Sequence, residues 1–356
     1  MKVGVLWTRL SGYLNACLRE LASRPGVQLL VAHETAGHDA PFDDGQFSWM
    51  AARIEYVGRP DRDALLTGVQ AFAPDVLLVS SWNVSEYRHV LRRLRPRPLR
   101  VLCMDNQWRG TLRQYLGVIA SPWYVRRLYD VAFAAGERQT CYARRLGFSD
   151  DRIWQGILCP DTAMLVSETG TRDLPLPHAF GYLGRLSAEK GIQDLLEAYE
   201  IYRASSAAPW DLLVAGAGPL TSELDRHPLV TRSGFVQPGE LGAWMKTIGC
   251  QVLPSRFEPW GVAISEGAAA GLPIIATNAC GAVPHLVHDF ANGRVARTGD
   301  VRSLVECMEY VASLSDDKRL AMGRVSLGLA SPYTPVRWAD TVLVRSAELL
   351  AGHVVQ

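Results

Sequence analysis

Strand-like apolar runs alternate with longer amphipathic stretches along this chain, and they do so in two rounds. Residues 3–7, 27–32, 76–80, 101–104 and 131–135 read as buried strands, separated by helical patterns such as residues 13–23 and 63–72. The rhythm breaks over residues 166–178, where Ser-Glu-Thr-Gly-Thr-Arg-Asp and two prolines suit neither a helix nor a strand. It restarts with residues 180–183, 212–215, 250–253 and 274–277. Successive strands joined by helices lie parallel, because each crossover helix returns the chain to the same end of the sheet. Two rounds therefore imply two α/β domains, and 356 residues are more than one domain usually holds. The expected division is residues 1–165, a linker at 166–178, a second domain at 179–335, and a helix within 336–356 reaching back across the first domain.

Composition excludes several classes. Hydrophobic residues make up 48% of the chain, yet charges and turn residues interrupt them before any run reaches bilayer length. The sequence enters its first strand without the pattern of a secretory signal, so a cytoplasmic location is expected. The seven cysteines are odd in number and never form a CxxC pair, which points to neither a disulfide framework nor a zinc site. Charge is balanced overall at +1 but unevenly spread: 21 Lys+Arg against 16 Asp+Glu up to residue 165, and 16 against 20 beyond it. Much of the excess lies in Arg88, Arg92, Arg93, Arg95, Arg97 and Arg100, interleaved with Tyr87, Val90, Leu91 and Leu94 at helical spacing. That pattern fits a solvated helix face, or a surface for peripheral contact with an anionic membrane.

Two acids eight residues apart carry the most chemistry. Glu258 falls in a loop after a strand ending near Leu253, and Glu266 falls on a small-residue helix over residues 262–271. A strand, loop and helix in that order make a pocket at the carboxyl edge of a sheet, where carboxylates can accept hydrogen bonds from a polyhydroxylated ligand. Upstream, Gly184-Arg185-Leu186-Ser187-Ala188-Glu189-Lys190-Gly191 delivers two cations to a tight turn at a helix start, as a diphosphate requires. An ordinary turn with Arg185 paired to Glu189 is the plain alternative.

Four segments in this order, Gly184-Arg185-Leu186 with Glu189-Lys190-Gly191, Ala215-Gly216-Ala217-Gly218-Pro219, Gly234-Phe235-Val236, and the Glu258 to Glu266 step with Ala270-Gly271-Leu272-Pro273, resemble family 4 retaining glycosyltransferases of the GT-B fold. The resemblance is carried by residues 179–295; the first domain shares mainly its βα pattern and Gly12 after the first strand. It implies two Rossmann-like parallel-sheet domains facing across a cleft, with the donor on the second and the acceptor on the first. The implied reaction moves a sugar from a UDP-, GDP- or dTDP-sugar to a hydroxyl of a saccharide or lipid-linked saccharide, in polysaccharide or glycolipid assembly. Retention, no bound metal and no cofactor go with it. Arg185 and Lys190 would neutralise the diphosphate and stabilise its growing charge. Glu266 would take the ribose diol and Glu258 the donor sugar. Gly12, Gly184, Gly216, Phe235 and the amides of Gly261 and Val262 would complete the donor site.

This chain also departs from the family. Pro259 and Trp260 follow Glu258 where relatives carry a small residue and an aromatic, and Pro259 removes a backbone donor. The first domain lacks the histidine that relatives often carry after a mid-domain strand; Asp105 and Asn106 stand in the equivalent place, followed by Trp108 and Arg109. These four are the candidate acceptor residues, with Asp105 as an acceptor-orienting group or a loop brace. A GT-B epimerase or phosphorylase, or a sugar-nucleotide-binding protein without turnover, are the alternatives. Asp61-Arg62-Asp63 looks like a metal-binding DxD but sits at a helix start, where capping explains it. Gly216-Ala217-Gly218 lacks the third glycine of a dinucleotide fingerprint, since Thr221 stands there. His285 and His288 have no further ligand at metal spacing. Aromatics among arginines at residues 108–129 could suit single-stranded nucleic acid, but near-neutral charge and the donor-site pattern argue against that partner and favour an acceptor cleft or a membrane-facing edge.

Overall fold

The first sheet is built around β1 (Lys2–Arg9), whose interior residues are buried on both faces of the strand. Such near-continuous apolar runs mark parallel strands covered by helices on both sides. In the computed structural model, which describes residues 1–35, 42, 44–169, 175–225 and 227–352, β1 is followed by β2 (Gln28–Glu34), β3 (Arg53–Tyr56), β4 (Val76–Val79), β5 (Leu99–Met104), β6 (Val131–Ala134) and β7 (Ile153–Gln155). They lie in the order β3-β2-β1-β4-β5-β6-β7, every pair parallel. The strands β4, β5 and β6 are buried throughout, and Leu6, Leu77, Val79, Leu102 and Tyr87 lie in the core beneath them.

The second sheet repeats the plan with β8 (Ala179–Leu183), β9 (Asp211–Ala215), β10 (Val230–Gly234), β11 (Cys250–Leu253), β12 (Ile274–Thr277) and β13 (Gly293–Ala296), in the order β10-β9-β8-β11-β12-β13. All its pairs are parallel too. The strand order reverses direction between β1 and β4 in one sheet and between β8 and β11 in the other. In open α/β sheets of this kind ligands bind outside the carboxyl ends of the strands at that reversal.

Four strands, β3, β7, β10 and β13, have no counterpart among the expected runs. They are the four edges of the two sheets. An edge strand has a neighbour on one side only, so its sequence can be short and polar, as Arg-Ile-Glu-Tyr and Val-Thr-Arg-Ser-Gly are. Asp61, at the DxD-like triplet, caps the helix Arg62–Phe72 by accepting from the amides of Asp63 (3.0 Å) and Ala64 (2.7 Å).

One compact unit runs through Cys159 and takes up the chain again at Pro335; the other spans Pro160–Thr334. The stretch over 166–178 is therefore not a plain linker. Residues 166–169 finish the helix Thr162–Thr169, which packs on the helices Leu241–Lys246 and Val262–Ala269 of the second unit. Residues 170–174 lie outside the described residues, and the Leu176 amide donates to Asp316 (3.1 Å). Of the apolar Ala-Met-Leu-Val run in that helix, Leu165 is buried, whereas Ala163 and Val166 are exposed. At the far end, the helix Pro335–Gly352 packs along the helix Gly12–Ser23 of the first unit. Asp340 pairs with Arg24 (3.0 Å), and buried Trp338 donates to the Ile157 carbonyl (3.1 Å) while stacking near Phe133.

Candidate functional site

The loop leaving β8 is shaped by close backbone approaches. Gly216, at φ +142°, lies so near Gly184 that a Cβ on it would stand 1.8 Å from the Gly184 carbonyl oxygen. Gly218 meets the Leu186 carbonyl in the same way, at 2.4 Å. The turn Ala188–Lys190 then closes through Gly191 at φ +68°, where a Cβ would stand 2.1 Å from the Pro254 carbonyl oxygen. Only glycine fits that left-handed position against another backbone. The β8 loop is thus pressed against the β11 loop at the strand-order reversal.

Hydrogen bonds fix the two loops together. The amides of Arg256 and Phe257 donate to the Glu189 carbonyl (2.9 and 3.1 Å), and Arg256 makes a two-pronged pair with buried Asp194 (2.8 and 2.6 Å). Tyr182, buried beneath, donates its hydroxyl to the Arg185 carbonyl (2.7 Å). On this frame Arg185 pairs with Glu189, which also accepts from Ser187 Oγ (2.7 Å). Those donors, the Ser187 hydroxyl first and the Glu189 backbone amide and Arg185 after it, hold the Glu189 carboxyl below its usual range. Lys190 pairs with Glu258, and both are mostly buried. Sequence reasoning gave Lys190 to phosphate and Glu258 to sugar as separate groups; the structure joins them as one ion pair.

The Glu258 loop is anchored by residues whose role the sequence hid. Trp260 is fully buried, donates Nε1–H to Ser265 Oγ (3.1 Å), and packs against His285 and Tyr333 at 5.5 Å between ring centres. The Glu258 and Trp260 carbonyls accept from the amides of Gly281 (3.1 Å) and Ala282 (2.9 Å). Trp260 is therefore a peg under the loop, and Pro259 spans between two bonded carbonyls. Gly261, at φ +101°, turns the chain into the helix Val262–Ala269. Glu266 on that helix is half-buried; its carbonyl accepts from the Ala270 amide (2.9 Å), while its carboxyl has no hydrogen bond or ion pair among the described residues and is pushed up to about 7 by desolvation. The next residue, Gly267, leaves room for the fully buried amide of Gln251, whose Oε1 occupies the space a Cβ would take.

A cleft of about 600 Å³ opens beside this turn, walled by Arg185, Ser187 and Glu189 on one side and by Ala217, Gly218 and Pro219 on the other. Glu258, Glu266 and the half-buried Phe235 are not among its lining residues. Their elements leave the same carboxyl edge: β11 carries Glu258 and Glu266 beyond it, and β10 leads into Phe235.

The candidate acceptor residues lie in the first unit, after β5. Asp105 and Asn106 are exposed, and the Asp105 carbonyl accepts from Gln139 Nε2 (2.8 Å). Trp108 packs edge-on to Tyr115 (4.9 Å), near Tyr142 (5.5 Å), with the Arg145 guanidinium over its face (4.6 Å). The Arg109 amide donates to Gln114 (2.7 Å). Gly12 opens the helix Gly12–Ser23 behind the cap residue Ser11. Of the arginines at 88–100, four are engaged within the protein. Arg88 donates to the Trp82 and Asn83 carbonyls and covers Tyr124, Arg95 donates to the Leu94 carbonyl, and Arg97 and buried Arg100 both hold Asp130. Arg92 and Arg93 are exposed, while Tyr87, Val90, Leu91 and Leu94 belong to the core.

Residues 177–313 match the family model described as glycosyl transferases group 1. The second unit belongs to the group 1 glycosyltransferases. This group 1 domain carries both loops of the site, and the two Rossmann-like parallel sheets place the chain in the GT-B fold class. Relatives of the group 1 domain include a glycogen synthase of Mycobacterium tuberculosis, 30% identical over 47% of this chain and 41% of that protein. A GDP-mannose-dependent alpha-(1-6)-phosphatidylinositol monomannoside mannosyltransferase of the same organism is 31% identical over 48% and 46%. The matched part spans less than half the length of these curated relatives. Among solved structures, Anabaena HepE in complex with UDP superposes with a TM-score of 0.75 at 16% identity, covering 99% of this chain and 100% of that one.

Proposed function

We propose that the chain is a retaining, metal-independent glycosyltransferase that uses a nucleotide-diphosphate sugar, with the donor held by the group 1 domain. The observation that carries this reading is the pair of cation–carboxylate contacts at the strand-order reversal, Arg185–Glu189 and Lys190–Glu258. Each cation is kept ready by a carboxylate that a diphosphate, with more charge, can displace. As the bond from the anomeric carbon to the leaving phosphate oxygen breaks, its electron pair stays on that oxygen. Arg185 and Lys190 stabilise this growing charge more than that of the intact donor. Glu258, released from Lys190, orients hydroxyls of the donor sugar, and Phe235 covers the base. The acceptor hydroxyl adds from the face the nucleotide leaves, and its proton passes to the departing phosphate oxygen. Asp105 helps orient that hydroxyl.

Glu266 takes the ribose diol. A carboxyl raised to about 7 has its charged form disfavoured by burial, and two hydroxyl donors replace the water it has lost. The relatives and structural neighbours support a sugar-nucleotide donor: one relative is GDP-mannose-dependent by name, and HepE was solved with UDP-glucose. The mannosyltransferase relative and a neighbour named as a lipopolysaccharide outer core galactosyltransferase support a saccharide or lipid-linked acceptor in glycoconjugate assembly. The test is a thermal-shift screen with UDP, GDP, ADP and dTDP, followed by donor consumption with and without acceptor pools. A nucleotide that binds only the folded state raises its midpoint. A stabilising nucleotide whose sugar is consumed only with acceptor is the expected result; binding without turnover in any pool would replace this reading with a binding protein.

A further inference from the structure

The helix Leu112–Ala120 has its amphipathic sides reversed. Leu112, Tyr115, Leu116 and Ile119 recur at the spacing of one helix face, and that face is turned to solvent, 76%, 52%, 58% and 66% exposed. Trp123, just beyond, is 73% exposed. The opposite side faces the protein with little to bury. Gln114 donates to the Gln107 carbonyl (2.9 Å), Val118 packs against the core, and the half-exposed Tyr115 meets Trp108 edge-on (4.9 Å). None of the helix's residues is buried. It is fixed instead by its own capping box, Thr111 with Gln114, so it stands formed before anything covers it.

Charge selects the occupant. Between Asp105 and Asp130 the chain has no acidic residue and no lysine, and four arginines: Arg109, Arg113, Arg126 and Arg127. Arg126 covers Phe148 (4.2 Å), while Arg109, Arg113 and Arg127 are exposed around the apolar stripe. A second copy docking here across a two-fold axis would bring like charges together. An anionic surface satisfies both the stripe and its rim. We propose that the helix Leu112–Ala120, with Trp123, docks on the surface of an anionic lipid bilayer, seating its apolar stripe among the acyl chains at headgroup depth and its arginines on lipid phosphates. Helices of this kind lie in the interface plane, with aromatic rings at the headgroup level and arginine stems along the boundary. No helix of the described residues is long and apolar enough to cross a membrane, so the contact lies on the bilayer. The arginines at 88–100 do not form such a surface, because the apolar residues interleaved with them belong to the core. The proposal does not depend on which sugar nucleotide the second unit takes.

Sedimentation of the whole protein with vesicles tests it, using phosphatidylcholine alone and phosphatidylcholine with about 30 mol% phosphatidylglycerol. Binding to the anionic vesicles, weak binding to the neutral ones and release by salt are expected. The double variant Leu116→Asp with Ile119→Asp should lower the partition coefficient at least about tenfold, and Arg113→Glu by a smaller factor. Both should keep the wild-type far-UV spectrum and nucleotide-induced thermal shift, since neither position lies in the second unit. Anionic-vesicle binding equal in wild type and double variant would overturn the assignment. So would no vesicle binding together with a dimer that Leu116→Asp dissociates, which would make a second copy the occupant.

Discussion

The carboxyl ends of β8 and β5 solve opposite problems. After β8, three glycine contacts against neighbouring backbone, two backbone bonds to the Glu189 carbonyl and the Arg256–Asp194 pair hold the loop against its neighbour, and the cations at its surface are already paired. After β5, Asp105 and Asn106 are exposed, and the next helix buries none of its residues. On the proposed function the first region is pre-organised for a ligand of fixed chemistry, because a diphosphate presents the same charges whatever sugar it carries. The second leaves its surface unspent, as fits a partner that supplies its own apolar area or hydroxyls. Under that proposal rigidity follows the invariant part of a transfer reaction, and loose polar or apolar surface follows the variable part.

The largest expected effect comes from breaking the rigid side at its charge. Lys190→Ala leaves Glu258 mostly buried without its partner and, on the proposed function, removes a donor to the leaving group. Steady-state donor turnover should fall about 100- to 1000-fold with the far-UV spectrum unchanged. Wild-type turnover would remove Lys190 from the site. Next is Gly191→Ala, which places a Cβ against the Pro254 carbonyl oxygen in a left-handed position. It should cost about 1–3 kcal/mol in chemical denaturation, and the loop contact is not what the structure shows if stability is unchanged.

Glu266 gives a pH signature. Its folded carboxyl, raised to about 7, binds a proton that the unfolded chain has released above the ordinary value of 4.5. Its contribution to stability is therefore full below 4.5 and is lost as pH rises through about 7. Nucleotide affinity should move the other way, rising as the carboxylate forms. Glu266→Gln should flatten that profile and lower affinity about tenfold above pH 7; a profile identical to wild type in titration calorimetry would separate Glu266 from the ribose. The smallest effect belongs to the loose side. Asp105→Asn should reduce kcat by about tenfold or less and leave the donor KM unchanged, because the proposed role of this exposed group is to orient the acceptor and not to hold the donor. A raised donor KM would contradict the division between the two regions.

Much of the rigid side was legible in the sequence because it depends on residue types that few other patterns explain. Glycines between a strand and a helix, with Arg185 and Lys190 five apart, mark a turn pressed against backbone. The strand interiors stood out for the same reason. The four edge strands did not, since pairing on one side lets polar residues occupy them. The placement of Trp260 was not legible: one residue after Pro259, nothing local says whether an indole points out or down into Ser265, His285 and Tyr333. The Lys190–Glu258 pair was invisible for a different reason, since it joins residues 68 apart whose contact exists only once β8 and β11 are neighbours. The stripe on Leu112–Ala120 was readable as a helix face, but its periodicity carries no sign of which way it points.

On the proposed function Lys190 and Arg185 are held by carboxylates until a diphosphate takes their place. Calorimetric titration of wild type and Lys190→Ala, with the nucleoside diphosphate that stabilises the protein most and with its parent nucleoside, tests this directly. The substitution should weaken the diphosphate at least about tenfold while leaving the nucleoside unchanged. Equal loss for both ligands, or diphosphate affinity unchanged, would contradict it.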